Sequence, residues 1–471
     1  MSESKKDPKL TLVGAGPVGS LLAAFLARRG YDVDVLERRP DMRKKDIGGG
    51  RSINLAVSVR GIHALNQLGI DQEVLKQAVA MKGRMMHSVG GELTFQPYGM
   101  DDSQCIYSIS RAGLNKTLMS FAEETGRVRF HFEKRVSGVK LAERLLEVVD
   151  ESGPAPSSGH PTEFPYDVLI GTDGSASAIR QSMSAQPGFQ LDQSRLDYGY
   201  KELVIPPSAQ GGFSMEKNAL HIWPRGAFML IALPNWDGSY TCTLFLPFEG
   251  PVSFASLDSR EKVGAFFSEQ FSDALPLIEN LTESFFSNPT GQMVTVRCSP
   301  WNYESSAMLL GDAAHAIVPF FGQGMNCGFE DCTILDQALA DFTGNWAILF
   351  AEFGGSRKPD SDAIADMAIE NFTEMRDKVG DQRFLLEKAV EKVLQTRFGG
   401  EYRSRYSLVT FSRVPYRLAL KAGEIEASLL SELCQDIQSP ENVDMDLAGE
   451  LIKRKLSPLW ARELGKNGTR T

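Results

Sequence analysis

Two glycine clusters almost three hundred residues apart carry the residue types that hold a phosphorylated cofactor: Gly14-Ala15-Gly16-Pro17-Val18-Gly19 and Gly311-Asp312-Ala313-Ala314-His315. In the first, Gly14 permits a tight turn and Gly16 lets backbone approach a pyrophosphate. Gly19 lets a helix pack closely on a strand, with the phosphates at the positive helix N-terminus. Glu37 follows Gly19 by 18 residues, close to the spacing of about 20 at which a carboxylate takes ribose hydroxyls. This chemistry needs a strand before the glycines, a helix after them and a second strand ending at the acid. The sequence supplies all three: the apolar run Leu10 to Val13, a helical pattern from Val18 to Arg29 stopped by Gly30, and Val33-Asp34-Val35-Leu36 as a parallel strand. Arg28 and Arg29 complement the negative end of the helix.

NAD and FAD both fit to this point, and the second cluster decides for FAD. Ala307-Met308-Leu309-Leu310 is a further apolar strand that delivers Gly311-Asp312, whose carboxylate can bind ribitol hydroxyls. The run Pro319-Phe320-Phe321-Gly322-Gln323-Gly324-Met325-Asn326 then opens a helical pattern through Ala340. Its glycines, Gly324 among them, free a helix N-terminus to face a flavin ring. The N–H groups of Met325 and Asn326 point where the reduced ring carries negative charge. Asp167 to Gly171 is one more strand, ending in Thr172-Asp173-Gly174 and followed by a helix over Ser175 to Met183.

Composition bounds the rest. Hydrophobic residues make up 42% and charged residues 23% of the 471, which is globular and not disordered. Acids outnumber bases, 60 to 50, and a net charge of −10 argues against a nucleic-acid partner. Cys105, Cys242, Cys298, Cys327, Cys332 and Cys434 form no C-x-x-C pair and no metal site, so reduced thiols and a cytoplasmic setting are expected. Met1 to Lys9 is polar and charged, not a signal peptide, and no apolar stretch reaches the roughly 20 residues of a spanning helix. Lys453-Arg454-Lys455 beside Leu456 and Trp460 reads as a solvated helix face.

The flavin strands lie near residues 10, 35, 168 and 308, so the binding unit is discontinuous. The expected division is a flavin-binding domain of residues 1–80, 100–187 and 292–361, a substrate domain of 81–99 and 188–291, and a helical region of 362–471. Within the second insertion, residues 221–224, 228–233 and 240–246 read as antiparallel strands, with turns at Pro224-Arg225-Gly226 and Asn235-Trp236-Asp237-Gly238. A period of two places Ile231 with Leu233, and Thr243 with Phe245, on one face. For Ile231, Leu233 and Phe245, lining a cavity and plain packing both fit. Residues 151–161 read as a polar surface loop. Asn371 and Met375, at i and i+4, share a helix face that can point into a cavity.

An N-terminal glycine fingerprint, an Asp-Gly after a middle strand and a late Gly-Asp together resemble the flavoprotein aromatic hydroxylases. No second strand-framed Gly-x-Gly-x-x-Gly is present, as is usual for that family. Gly50-Arg51-Ser52-Ile53-Asn54-Leu55-Ala56, Leu220-His221-Ile222-Trp223-Pro224, the run from Pro319 to Asn326, and Tyr406-Ser407-Leu408-Val409-Thr410-Phe411-Ser412-Arg413 narrow the resemblance to its kynurenine-hydroxylating group. It spans about Lys9 to Tyr416. The implied fold is α/β: a Rossmann-like FAD-binding domain, an inserted antiparallel-sheet substrate domain and a C-terminal helical region. Animal members carry a C-terminal membrane anchor. A truncated mitochondrial outer-membrane enzyme is therefore the alternative to a cytoplasmic one.

The resemblance implies FAD as cofactor, with NADPH and O2 as co-substrates and L-kynurenine as substrate. A flavin C4a-hydroperoxide would transfer oxygen ortho to the ring amine, which activates the carbon without a catalytic base. It implicates Val18, Leu36, Glu37, Arg38, Arg39, Ala56, Arg111, Val136, Asp173, Asp312, Met325 and Asn326 at the cofactor, and Arg84, Tyr98, Asn371 and Tyr406 at the substrate. A guanidinium forks onto a carboxylate, so Arg84 is the expected clamp. Pro319, Phe320 and Phe321 are expected to keep the site dry, Phe321 standing where some bacterial relatives have histidine. His315 is expected to be a structural hydrogen-bonding residue. Two other readings remain open: a hydroxylase of another aromatic acid, and a flavin-free binding protein of the same fold.

Overall fold

A computed structural model describes residues 8–44, 54–153, 161–377 and 381–464, without the side chains of 375–377 and 463–464. Gly50 to Ile53 of the motif quoted above, most of the loop 151–161 and the Met375 side chain lie outside these residues.

The apolar runs read from the sequence form a six-stranded sheet in the order Asn302–Tyr303, Ala307–Leu309, Val168–Gly171, Leu10–Val13, Val33–Leu36, Val128–His131. Leu10 pairs in parallel with Val168 on one side and Val33 on the other, and Leu169 pairs in parallel with Ala307. Only the terminal hairpin, Asn302–Tyr303 on Ala307–Met308, is antiparallel. Strands buried on both faces need helices over them. The first such helix, Pro17–Arg28, is buried along nearly its whole length. It starts at a proline, whose missing N–H costs nothing in the first turn, and ends before Gly30 at φ +95°. At Gly19 a Cβ would stand 2.1 Å from the Gly14 carbonyl oxygen and 2.6 Å from Thr172 Oγ1, so no side chain fits.

A second, seven-stranded sheet runs Gly291–Ser299, Gln190–Ile205, Tyr240–Pro247, Met229–Pro234, Ala219–Pro224, Gly83–His87, Leu93–Pro97. Its pairings are antiparallel except Ala219–Pro224 on Gly83–His87, where two distant chain segments meet in parallel. The turn at Asn235 to Ser239 closes with Gly238 at φ +90°. Alternation sorts this sheet's side chains to two faces. Leu230, Ala232, Cys242 and Leu244 pack under the helices Arg260–Gln270 and Leu281–Ser287, whereas Met229, Ile231 and Phe245 face the C-terminal helices.

Those helices include Trp346–Asp377, Gln382–Phe398, Arg405–Thr410 and Tyr416–Leu433. Trp346–Asp377 is continuous through residues 361 and 362, so the division expected there runs through a helix. Among the described residues, no helix is long and apolar enough to cross a membrane.

Gly19→Ala tests the contact that seats the first helix. Overpacking of this kind costs about 1–3 kcal/mol, and a lower thermal midpoint of the cofactor-free protein is expected. An unchanged midpoint would show that helix and strand are not in close contact.

Candidate active site

Two cavities open between these layers, and most residues singled out by sequence line one or the other. The first, of about 650 Å3, lies over the C-terminal ends of the parallel strands, where open α/β sheets place ligands. Its walls include Gly14, Gly16, Leu36, Glu37, Arg38, Arg39, Arg111, Val136, Asp173 and Asp312. Lys134 and Arg135, which the sequence reading missed, add positive charge. Gly14 adopts φ +102°, and a Cβ on Gly16 would meet nothing within 4 Å, leaving open space where a pyrophosphate would lie.

Glu37 is fixed at the end of its strand. Its Oε2 accepts from the Ala15 N–H at 2.8 Å, and Oε1 accepts from the Arg39 N–H at 2.9 Å and Arg39 Nε at 2.8 Å. Burial alone would raise this carboxyl, but those donors outweigh it and hold it below the usual carboxylate range. Asp173 has the opposite balance. Burial pushes its carboxyl up although Oδ2 accepts from the Ala178 N–H at 2.7 Å, and its buried Oδ1 has no partner among the described residues. A ligand hydroxyl in the cavity would satisfy that oxygen. Residues with these properties fit an adenine dinucleotide with a sugar-alcohol chain.

Val18, Gly19, Ala56, Gly324, Met325 and Asn326 do not line the first cavity. Val18 packs against Gly311 and Gly328, each too close to it to carry a side chain freely. Asn326 is a clip: its Oδ1 accepts from the Ser58 N–H at 2.9 Å, and its Nδ2 donates to the carbonyls of Ala56 at 2.8 Å and Gly322 at 2.9 Å. The helix begins at Gly324, so the N–H groups of Met325 and Asn326 fall in its first turn, without intrahelical partners.

The second cavity, of about 480 Å3, brings together Arg84, Tyr98, Phe321, Asn371 and Tyr406. The Arg84 guanidinium lies 5.5 Å from the Tyr98 ring centre and 5.1 Å from that of Tyr406. The two tyrosines stack at 5.5 Å, and Tyr406 stacks on Phe321 at 5.8 Å. Burial raises both phenols, which stay protonated as hydrogen-bond donors. Among the described residues, no carboxylate pairs with Arg84. Asn371 Nδ2 donates to the Phe320 carbonyl at 2.8 Å. Arg405, at the rim, pairs with Glu370 at 2.5 Å and Glu374 at 3.2 Å.

Pro319 lines the first cavity and Phe321 the second, so one short turn forms the partition between them. Phe320 lines neither. It stacks on Phe372 at 4.4 Å and meets Phe245 at 5.1 Å. Ile231, Leu233 and Phe245 also line neither of these two cavities and are packed instead: Leu233 joins Met81 and Ile106, and Phe245 joins the C-terminal core. The sheet contributes Met86, Ile222 and Met229 instead. Sequence reading also missed Phe384, Lys388, Lys392 and Gln395 of the helix Gln382–Phe398. Their spacing of three to four marked one helix face but not what it covers.

His315 is buried, and its Nε2 meets Asp331 Oδ2 at 2.6 Å. Asp331 also accepts from Arg357 Nε at 2.9 Å and from the Gly311 N–H at 3.3 Å. Burial alone would raise Asp331, but His315 and Arg357 hold it low. The histidine thus braces the Gly311-Asp312 turn. Cys327 lies within 4.8 Å of both His315 and Asp331, but burial pushes its thiol up, which disfavours the thiolate a metal needs.

A family model described as an FAD binding domain matches residues 8–232 and 257–348. The kynurenine 3-monooxygenase of Myxococcus xanthus is 57% identical, over 97% of each chain. That of Flavobacterium psychrophilum is 45% identical, over 97% of this chain and 99% of its own, and that of Dictyostelium discoideum 43%, over 95% and 98%. Among solved structures, 2-methyl-3-hydroxypyridine-5-carboxylic acid oxygenase superposes with a TM-score of 0.65 at 18% identity, over 80% of this chain and 95% of its own. PqsL of Pseudomonas aeruginosa, in complex with 2-aminobenzoylacetate, superposes with a TM-score of 0.62 at 19%, over 79% and 97%.

Asp312→Ala or Glu37→Ala, through loss of the expected hydrogen bond to a sugar hydroxyl, is expected to weaken FAD by about 1.5–3 kcal/mol. Titration of the cofactor-free protein measures it, and unchanged affinity in both would misplace the site. Glu37 also sets a pH dependence. Its folded carboxyl lies below its unfolded value, so its stabilisation is complete above the ordinary carboxylate range and is lost as pH falls through the depressed value. Acid unfolding of Glu37→Gln is therefore expected to lose part of the wild-type steepness.

Proposed function

The chain belongs to the kynurenine 3-monooxygenase family of FAD-binding flavoprotein monooxygenases, and we propose that it uses NADPH and O2 to hydroxylate L-kynurenine to 3-hydroxykynurenine, a step of tryptophan catabolism. Arg84 supports this substrate: its guanidinium stands in a cavity wall with two tyrosine rings beside it and, among the described residues, pairs with no carboxylate. A charge so placed calls for an anionic partner from outside the chain.

When bound in the first cavity, FAD supplies reducing equivalents taken from NADPH and the activated oxygen. The protein's part is position and dryness. Arg84 forks onto the kynurenine carboxylate, and the protonated Tyr98 and Tyr406 phenols donate beside it. Asn371, tied to the Phe320 carbonyl, fixes the partition turn against the long C-terminal helix. Pro319 and Phe321 give the ring an apolar path between the cavities and exclude water at the reacting edge. The ring amine activates its own ortho carbon, so no side chain needs to remove a proton first. His315 is not assigned to this chemistry, because Asp331 holds it. Six free, buried cysteines support a reducing, cytoplasmic setting.

The test is NADPH oxidation with kynurenine against 4-hydroxybenzoate, with mass analysis of products. Kynurenine gaining one oxygen is expected. Hydroxylation of the benzoate alone would assign another aromatic acid. Arg84→Ala leaves the substrate carboxylate unpaired and is expected to weaken kynurenine by about 2–5 kcal/mol, with FAD still bound. Wild-type affinity in that variant would remove the clamp.

A further inference from the structure

We propose that Arg60 is a positioning residue for substrate binding: anchored beside the cofactor loop, its guanidinium holds the segment that presents Tyr406 to Arg84. This rests on reading the second cavity as the kynurenine site.

Arg60 is 1% exposed and lies in the helix Val59–Leu68. The start of that helix is tied to the cofactor side, because the Ser58 N–H donates to Asn326 Oδ1 and the Ala56 carbonyl accepts from Asn326 Nδ2. Gly61 packs so closely that a Cβ there would stand 2.6 Å from Asn326 Oδ1. From this fixed base the guanidinium reaches the C-terminal segment. It pairs with Glu330, donates to the Val414 carbonyl and, through Nε at 3.5 Å, to the Val409 carbonyl. Its central carbon lies over the Tyr416 ring, 3.9 Å from the ring centre.

Tyr406 stands three residues before Val409, in the six-residue helix Arg405–Thr410. A helix so short does not hold its own place and depends on packing. One turn beyond Arg60, the His63 ring takes a second hold on the same segment, accepting at Nδ1 from Arg413 Nη1 at 2.9 Å. Burial and the Arg413 charge lower the affinity of His63 for a proton, which keeps the ring a neutral acceptor. One helix thus grips residues 409 to 414 at two points while Asn326 grips its base. Only arginine suits the first grip. A planar fork can meet a carboxylate and two carbonyls while stacked on a ring, whereas an ammonium on a flexible stem cannot.

The test compares wild-type holoenzyme with Arg60→Lys and, in case that variant does not fold, Arg413→Ala. Loss of a buried carbonyl contact is expected to raise the kynurenine Kd about tenfold in Arg60→Lys, and less in Arg413→Ala. Both are expected to release a larger share of consumed NADPH as H2O2, with FAD affinity within about twofold of wild type. Amide hydrogen exchange over residues 406–414 is expected to quicken in both. Wild-type kynurenine affinity, coupling and exchange in both variants, with only a lower thermal midpoint, would overturn the proposal and leave Arg60 a core ion pair. If wild-type protein ignores kynurenine, the substrate reading fails separately, and exchange alone decides: faster supports the grip, unchanged overturns it.

Discussion

The strand Val168–Gly171 has parallel neighbours on both sides, Leu10–Val13 and Ala307–Leu309, and the rest of the molecule is arranged around that double pairing. Parallel strands cannot be joined by a hairpin, so each junction requires a long crossover. Here the crossovers contain a second sheet. The chain leaves the cofactor unit, builds strands from residues 83–97 and 190–299, and returns to place Gly311-Asp312 beside Gly14 to Gly19. The pairing also fixes Thr172, whose hydroxyl donates to the carbonyls of Val13 at 3.0 Å and Gly14 at 2.9 Å and so holds the glycine turn in shape.

Two chambers with different chemistry follow. The first is lined by five basic side chains, backbone turns and three carboxylates, as a diphosphate joining a ribose and a ribitol chain requires. The second offers aromatic rings and one guanidinium, that of Arg84, without a carboxylate partner among the described residues. The Pro319–Phe321 turn belongs to both, and its place is set from the C-terminal side by Asn371 and Phe372. Beneath it, Asp331 joins His315, Arg357 and the Gly311 N–H in one buried network. A carboxylate so buried is tolerated only because each oxygen is paired. The same pairing makes His315 a brace.

Local pattern made the cofactor half legible. The glycine fingerprint, the apolar strands and Glu37 at its spacing are contacts between near neighbours or follow the strand-end rule for ligand sites. The limits of local pattern show at Ile231, Leu233 and Phe245. Their alternation named a face correctly, but a face can border a cavity or a core, and only the position of Phe320 and Met81 decides it. Val18 came through resemblance to relatives and Asn326 from its place at a helix start, and here they pack and clip around the cofactor loop without lining the cavity. The helix Gln382–Phe398, which closes the second cavity, carried no chemical signature at all. Arg60 was invisible for a related reason. Two of its partners are backbone carbonyls some 350 residues away, and carbonyls leave no mark in a sequence.

In the proposed function the Arg84 guanidinium, without a carboxylate partner among the described residues, is the recognition point, and the Pro319–Phe321 turn passes the substrate ring toward the flavin. A crystal structure of the holoenzyme with kynurenine tests it most directly. The carboxylate is expected in a two-pronged contact with Arg84 beside Tyr98 and Tyr406, with the aromatic ring against Phe321 and its ortho carbon turned to the flavin chamber. A carboxylate seated instead on Lys388 or Lys392, with Arg84 left free, would contradict it.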